Sequence, residues 1–423
     1  MPHNKNTAGY APDILPVPPR VRLPMGMSGG APAKPAAGAG GRVKVGQLVG
    51  EAGGGVSSPI HASVSGVIKS IDEIDPVTGE KAVSVVIESD GAQSVYEGLA
   101  PPRVTNVAEF LQAVRDSGVV GLGGAGYPTW HKLTLKETQK LDYILINGME
   151  CESYITPDTR TMTDDAAYVL EGARLLQEYL KPKNIIVCIE DNKPGPIGKM
   201  TELFSKEPGM EVRVLPALYP QGERKTLVYN VAGRTVPEGA RLPDVGCVVI
   251  NCSTVAVMAK YIKTGMPMVS RCVTVDGPAV KNPKNVIAPI GAPARALFEF
   301  CGGFKEDAIK IVFGGAMTGM AKPGLDMPIV KTTSAVLAFG AKDAEPPKET
   351  ACIKCGRCVH KCPMRLMPSF IEEAYELKKP EALRELKVGL CAECGCCAYV
   401  CPAKRPLLQV MLLSKQMLWE AEI

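Results

Sequence analysis

No cysteine precedes Cys151, although the chain of 423 residues has 15 of them. A disulfide scaffold spreads its cysteines through a small secreted domain, so this distribution excludes one. Aromatic residues are scarce at 5%, and the net charge is only +4. With no basic tract interleaved with aromatics, nucleic acid is not an expected partner. No run of about 18 apolar residues occurs, so no helix is expected to span a bilayer. The best candidate, Val245 to Met258, is short and carries Asn251, Ser253 and Thr254. Met1 to Tyr10 is polar and lacks the apolar centre of a secretory signal. The chain is therefore expected in the cytosol, with docking on a membrane partner left open. What is present is an ordinary globular composition, 46% hydrophobic and 22% charged, with length for about two to four domains.

The pattern changes along the chain and predicts a multidomain α/β protein. Residues 1–34 are rich in Pro and Gly and read as an extended arm. Residues 35–100 carry short apolar runs separated by glycines, as in small β-sandwiches. They resemble the barrel-sandwich module of lipoyl and biotinyl domains. The expected hairpin tip, Glu51-Ala52-Gly53-Gly54-Gly55, has no lysine to modify, so a structural or docking module is expected. Residues 101–265 alternate helical and strand patterns: helices over Val107 to Ser117 and Asp164 to Leu180, strands over Asp142 to Asn147, Asn184 to Glu190, Glu211 to Leu215 and Cys247 to Cys252. That alternation predicts a largely parallel sheet covered on both faces. Residues 266–330 return to short strands with Gly and Pro turns. In 331–423 a linker to about 350 precedes a helical, cysteine-rich tail.

Nine cysteines crowd into Cys352 to Cys401. Cys352, Cys355, Cys358 and Cys362, followed by Pro363, form one run. Cys391, Cys394, Cys397 and Cys401, followed by Pro402, repeat its spacing. Three thiolates at two-residue gaps wrap one 4Fe–4S cubane, and in two-cluster ferredoxins the fourth ligates the other cluster. The expected sets are Cys352, Cys355, Cys358 and Cys401 for one cluster, and Cys391, Cys394, Cys397 and Cys362 for the other. Zinc, the alternative, usually takes two separated pairs; four cysteines in one run, repeated and each followed by Pro, favour clusters. Cys396 is left over and is expected to pack nearby without ligating. The six scattered cysteines read as buried small hydrophobes. His131 and His360 are isolated and read as surface residues.

Gly121, Gly123, Gly124 and Gly126 stand in GLGGAGYPT, ahead of Trp130-His131-Lys132. Glycines let backbone N–H groups approach a phosphate. On glycines alone, a tight structural turn fits as well. The loop is neither a Walker loop nor a Rossmann fingerprint.

The whole string GLGGAGYPTWHK resembles the flavin loop of the FMN- and NADH-binding subunit of respiratory complex I. Asn147-Gly148-Met149-Glu150-Cys151-Glu152 resembles that family's acidic loop, and Tyr219-Pro220-Gln221-Gly222-Glu223 its second loop. Asn251 to Thr254 stands where an Asn/Thr flavin contact occurs. Over nearly its whole length the chain is more similar still to the RnfC family, which belongs to the Rnf ion-translocating ferredoxin:NAD oxidoreductase. GAPAKP (Gly30 to Pro35), HASVSG (His61 to Gly66), ITPDTR (Ile155 to Arg160), TVDGPAVKNP (Thr274 to Pro283), FCGGF (Phe300 to Phe304) and the double cysteine run carry that similarity. Arg224 stands where the family pattern calls for Glu, and Ser153 where it shows Pro.

The resemblance implies a barrel-sandwich, an FMN/NADH-binding α/β domain, a small β-grasp (SLBB-like) domain and a two-cluster ferredoxin domain. It implies non-covalent FMN, NAD(H) as substrate and two 4Fe–4S clusters. Glycine-loop amides and Lys132 are expected to hold the FMN phosphate. Glu150 and Glu152, which on sequence alone also fit a solvated acidic turn, would orient ribose or nicotinamide. Glu223, with Asn147, Gly222, Asn251 and Thr254, would lie close to the flavin. Partners would be other Rnf subunits, including membrane-embedded ones and a ferredoxin-type subunit, on the cytoplasmic side of the membrane. The alternatives are a soluble NADH dehydrogenase feeding a metabolic reductase, and a non-enzymatic ferredoxin-type adaptor.

Overall fold

The structure, a computed structural model, describes residues 4–74 and 82–421. Met1–Val236 with Ala240–Asp343 form one compact unit, and Ala344–Ile423 with Pro237–Gly239 form a second.

At the centre of the first unit is a four-stranded parallel sheet. Its order is Met210–Leu215, Asn184–Glu190, Tyr143–Gly148, Cys247–Asn251. The strands read as continuous apolar runs because both faces are buried, as parallel sheets require. Alternate residues divide between two cores. Ile144, Ile146, Ile185, Val187, Val248 and Ile250 face helices Ala166–Leu180 and Cys252–Thr264. Leu145, Ile186, Cys188 and Val249 face Leu227 and Val228 of helix Arg224–Ala232. Each such fully buried aliphatic side chain contributes about 1.5–3 kcal/mol. The helix expected over Asp164 to Leu180 is Ala166–Leu180, and a further helix, Pro157–Asp164, precedes it, parted from it at Asp165 with φ −107° and ψ 17°.

Strand order fixes where a site can lie. From Tyr143–Gly148 the chain builds outward through two strands, then returns to place Cys247–Asn251 on the opposite side. The topological switch point is therefore between Tyr143–Gly148 and Cys247–Asn251, and ligands of open α/β sheets bind beyond the carboxyl ends of strands at such a point.

Two β modules flank this sheet. One pairs Arg42–Val43, Gly66–Ile74, Ala82–Ser89 and Arg20–Pro24, facing a second sheet of Lys34–Pro35, Leu48–Glu51 and Ile60–His61. Val21, Leu23, Val43, Ile68, Val85 and Ile87 point inward. The other is a six-stranded mixed sheet, in order Asp13–Ile14, Lys284–Pro289, Ser270–Asp276, Ala335–Phe339, Lys310–Phe313, Met320–Lys322. Two segments differ from expectation. Part of the residues read as a free arm is paired strand, Arg20–Pro24 antiparallel to Ala82–Ser89 and Asp13–Ile14 parallel to Lys284–Pro289. Ala335–Phe339, in the stretch read as linker, is an interior strand: a buried five-residue apolar run with no periodicity to announce it.

The second unit is helical. Leu366, Ile371, Leu383, Val388, Leu407 and Met411 form its core together with Cys358, Cys397 and Cys401. Arg405 ties its elements together, donating to Glu372 at 2.9 Å, to Glu376 at 2.9 Å and to Glu349.

Candidate functional site

The glycine loop, both asparagines and the Tyr219–Glu223 loop converge at the switch point. Asn147 and Asn251 are in direct register as the last pair between their two strands. Asn147 Nδ2 donates to the Gly222 carbonyl at 2.9 Å. A Cβ on Gly222 would meet the Met149 carbonyl at 2.6 Å, so glycine permits this approach of two loops. Asn251 caps helix Cys252–Thr264, its Oδ1 accepting from Thr254 N at 3.1 Å, and donates to Asp158 Oδ2 at 2.7 Å. A Cβ on Gly123 would lie 3.6 Å from Asn251.

A backbone accounting shows what the loop presents. Gly121 N donates to the Tyr127 carbonyl and Gly126 N to the Gly121 carbonyl, closing its base. Leu122 is pinned on both sides: its N–H donates to Thr254 Oγ1 at 3.0 Å, and its carbonyl accepts from Arg271 Nη2 at 2.7 Å. The N–H groups of Gly123, Gly124 and Ala125 find no acceptor among the described residues, and all three residues are exposed. Gly124 has φ +117°, which a β-branched residue does not tolerate. Lys132 Nζ would lie 3.7 Å from a Cβ on Gly121, and Lys132 makes no ion pair among the described residues. Burial, and then the Arg224 guanidinium, lower the Lys132 ammonium to about 8. Thr129 Oγ1, just past the loop, is buried without a partner. Three exposed amides without an acceptor, with Lys132 beside them and Arg224 near enough to act on it, make a candidate anion cradle.

The carboxylates of these loops all find protein donors. Glu150 is buried and turned to the N-terminus of helix Pro157–Asp164, its oxygens accepting from Asp158 N at 2.8 Å and from Thr159 N and Oγ1 at 3.3 and 2.8 Å. Lys193 Nζ lies 3.7 Å from it and 2.7 Å from Glu190. Burial raises the Glu150 carboxyl, opposed by Lys193 and Lys5. Glu152 accepts from Met317 N at 2.9 Å and Thr318 N at 3.0 Å, and so ties the acidic loop to the β-grasp module. In this structure both carboxylates are thus engaged by protein donors, Glu150 at a helix N-terminus and Glu152 across to the β-grasp module. Glu223 caps helix Arg224–Ala232, accepting from Thr226 N at 2.8 Å with one oxygen. Burial pushes the Cys151 thiol up to about 11, so it is not a reactive thiolate.

Sequence reasoning missed Asp158, Arg271 and Lys5. Asp158 receives both Asn251 and Ser253, the latter at 2.6 Å. Lys5 Nζ donates to the carbonyls of Glu150, Glu152 and Ile155 at 2.6, 2.7 and 2.7 Å, clamping the acidic loop from the arm. No local pattern announces such contacts, since Arg271 and Leu122 lie 149 residues apart.

In the second unit the two cysteine runs are a structural repeat. Left-handed residues recur at equivalent places: Lys354 and Glu393, Gly356 and Gly395, Arg365 and Lys404. Cys362, Cys391, Cys394 and Cys397 line one cavity, with Cys396, Pro363 and Met411 in its wall. The last ligand of the first run thus joins the first three of the second. Of the other expected set, Cys358 and Cys401 are buried in the same core, while Cys352 and Cys355 are exposed. Among the described residues, no three His, Cys, Asp or Glu side chains are grouped as ligands of a single ion.

Comparison with known proteins follows this anatomy. Residues 1–92 match the RnfC barrel sandwich hybrid domain, 114–260 the Nuo51 FMN-binding domain, 272–321 the SLBB domain and 347–402 a 4Fe–4S dicluster domain. The RnfC protein of the proton-translocating ferredoxin:NAD(+) oxidoreductase complex of Clostridium ljungdahlii is 39% identical over 372 residues, covering 87% of this chain and 81% of the relative. Its counterpart in the Na(+)-translocating ferredoxin:NAD(+) oxidoreductase complex of Acetobacterium woodii is 37% identical over 359 residues, covering 84% and 81%. This chain belongs to the RnfC family. An NAD+-reducing [NiFe]-hydrogenase, in its H2-reduced state, shares the fold at TM-score 0.54 and 17% identity; 75% of this chain is covered, and 63% of the hydrogenase chain.

As an RnfC-family member the chain carries FMN and two 4Fe–4S clusters. Its residues fit both groups: the exposed loop amides and Lys132 suit a phosphate, and Cys362, Cys391, Cys394 and Cys397, lining one cavity, suit a cubane. Among the described residues no helix is long and apolar enough to cross a membrane.

Proposed function

We propose that this chain is the peripheral, NAD-facing electron-transfer subunit of an Rnf-type ferredoxin:NAD+ oxidoreductase, held on the cytoplasmic side of the membrane by membrane-embedded subunits and coupled through them to ion translocation. The observation that carries the reading is the presence, in one chain, of a candidate anion cradle at an α/β switch point and a cysteine-lined cavity in a repeated cysteine domain. FMN exchanges electrons both in pairs with nicotinamide and singly with clusters, and so joins the two.

The chain's own part is binding and positioning. Amides of Gly123, Gly124 and Ala125, with Lys132, hold the phosphate. Thr254 and Arg271 fix the loop by its Leu122 peptide; burial lowers Arg271 to about 10, which leaves it charged. Asn147 and Asn251 set the two loops against each other. Cys362, Cys391, Cys394 and Cys397 hold one cluster, and Cys352, Cys355, Cys358 and Cys401 the other. No side chain is assigned as general acid or base.

Membrane vesicles from a strain lacking this chain test the assignment. Adding back the purified, cofactor-loaded chain is expected to restore both ferredoxin-dependent NAD+ reduction and the linked ion uptake. If the chain does not bind the vesicles, and its NADH oxidation instead supports a soluble reductase, the assignment to a membrane complex is wrong.

A further inference from the structure

The two halves of the cysteine repeat share backbone conformation but not surface. In the first run Cys352, Ile353, Cys355 and Gly356 are all exposed, Ile353 to 66%. At the equivalent places of the second, Cys391, Ala392 and Cys394 are partly covered and Gly395 is buried. Inside the ligand loops charge differs in the same sense, although the third place compared, Lys404 against Arg365, is an exposed cation in both halves. Lys354 and Arg357 stand inside the first ligand loop, and Lys404 follows Cys401, the fourth thiol assigned to the same cluster. All three are exposed and make no ion pair among the described residues. Their counterparts are Glu393, already paired with Lys415 at 2.5 Å, then Cys396 and Arg365. Lys348 and Lys361 add exposed cations beside the first loop, whereas the nearby Glu349 is bound by Arg405.

Because the repeat supplies equivalent scaffolds, neither folding nor cluster ligation demands this asymmetry. An exposed apolar centre within a ring of free like charges is the anatomy of a transient protein interface: the centre gives contact, the rim gives steering. The cysteines exposed within it are those of a redox centre, so the occupant is one that exchanges electrons there. Anionic lipid would match the charge but exchanges no electron.

Resting on the electron-transfer reading above, we infer that the surface around Ile353, rimmed by Lys354, Arg357 and Lys404, is the docking port for an acidic one-electron carrier protein of the iron–sulfur class. Electrons enter and leave the chain at the cluster of Cys352, Cys355, Cys358 and Cys401. Each docking moves one electron, the carrier being oxidised as the chain is reduced or the reverse, with no proton transferred.

The test is charge reversal in the full, iron-loaded chain. The triple variant K354E/R357E/K404E is compared with native chain and with R365E, the counterpart of Lys404 in the other half. Glu393 shows that glutamate is accommodated at the backbone place Lys354 occupies. The probe is a small acidic two-cluster ferredoxin, its affinity measured by calorimetry at low and high salt. Native chain and R365E are expected to bind alike, and more weakly as salt rises. The triple variant is expected to bind at least about tenfold more weakly at low salt and to lose most of its salt dependence. Its iron content and reduction by NADH are expected to be unchanged, which separates docking from folding. Unchanged affinity in the triple variant overturns the port. So does equal weakening in R365E, or a loss confined to binding of anionic phospholipid vesicles. A native chain whose clusters stay oxidised with NADH counts against the electron-transfer reading alone, and the binding comparison still decides the port.

Discussion

Replacing Cys362 with alanine is expected to cut iron from about eight to about four atoms per chain, and the cluster lost is the one bound by the second cysteine run. The reason is the cavity in which Cys362 faces Cys391, Cys394 and Cys397. A cubane needs four thiolates, and Cys396 is not among the four assigned to it. Pairing the change with a second one separates crossed from uncrossed ligation. Cys362→Ala with Cys391→Ala strikes one cluster twice and is expected to leave about four irons. Cys362→Ala with Cys352→Ala strikes both and is expected to leave close to none. The reverse pattern, read by iron assay and low-temperature EPR of the reduced protein, means each run holds its own cluster.

Gly124→Val is expected to empty the flavin site while sparing the clusters. The backbone at Gly124 has φ +117°, and nothing lies within 4 Å of a Cβ built there, so crowding is not the cause. The cost is conformational, about 1–3 kcal/mol for an L-residue held in this region, and the loop relieves it by turning its amides away. About 1.4 kcal/mol already weakens binding tenfold. FMN content is thus expected to fall at least about tenfold, as flavin fluorescence after acid release measures. Iron content should not change, because the cysteines belong to the other compact unit. Asn251→Ala is the milder companion. It removes a helix cap of about 1 kcal/mol and the bond to Asp158. FMN retained at the native level in Gly124→Val would show that the amides of this loop do not hold it.

Much of this architecture was legible because short-range chemistry wrote it. The cysteine spacings announced the repeat, and fully apolar strands such as Asn184–Glu190 announced a parallel sheet buried on both faces. The glycine loop was visible as a string that suggested a phosphate site, but what fixes its backbone was not. Thr254 and Arg271 consume the polar groups of Leu122, contacts made across 132 and 149 residues of chain. Long range also explains the acidic loop. Sequence places Glu150 and Glu152 beside the glycine loop; folding turns one into the N-terminus of helix Pro157–Asp164 and the other into the Met317–Thr318 loop. Ala335–Phe339 was hidden for a different reason: five apolar residues have no period to read, and only its partners Ser270–Asp276 and Lys310–Phe313 make it an interior strand. Equally, nothing in the Pro- and Gly-rich arm foretells that Lys5 will gather three carbonyls of the acidic loop.

The central claim is that nicotinamide, flavin and clusters form one electrical path through this chain. An anaerobic titration of the purified, iron-loaded protein with NADH, after assay of its bound FMN, tests it most directly. The account predicts that flavin and cluster absorbance both bleach with NADH alone. Clusters that stay oxidised in a chain with no bound FMN and no response to NADH would contradict it, and would leave a ferredoxin-type adaptor.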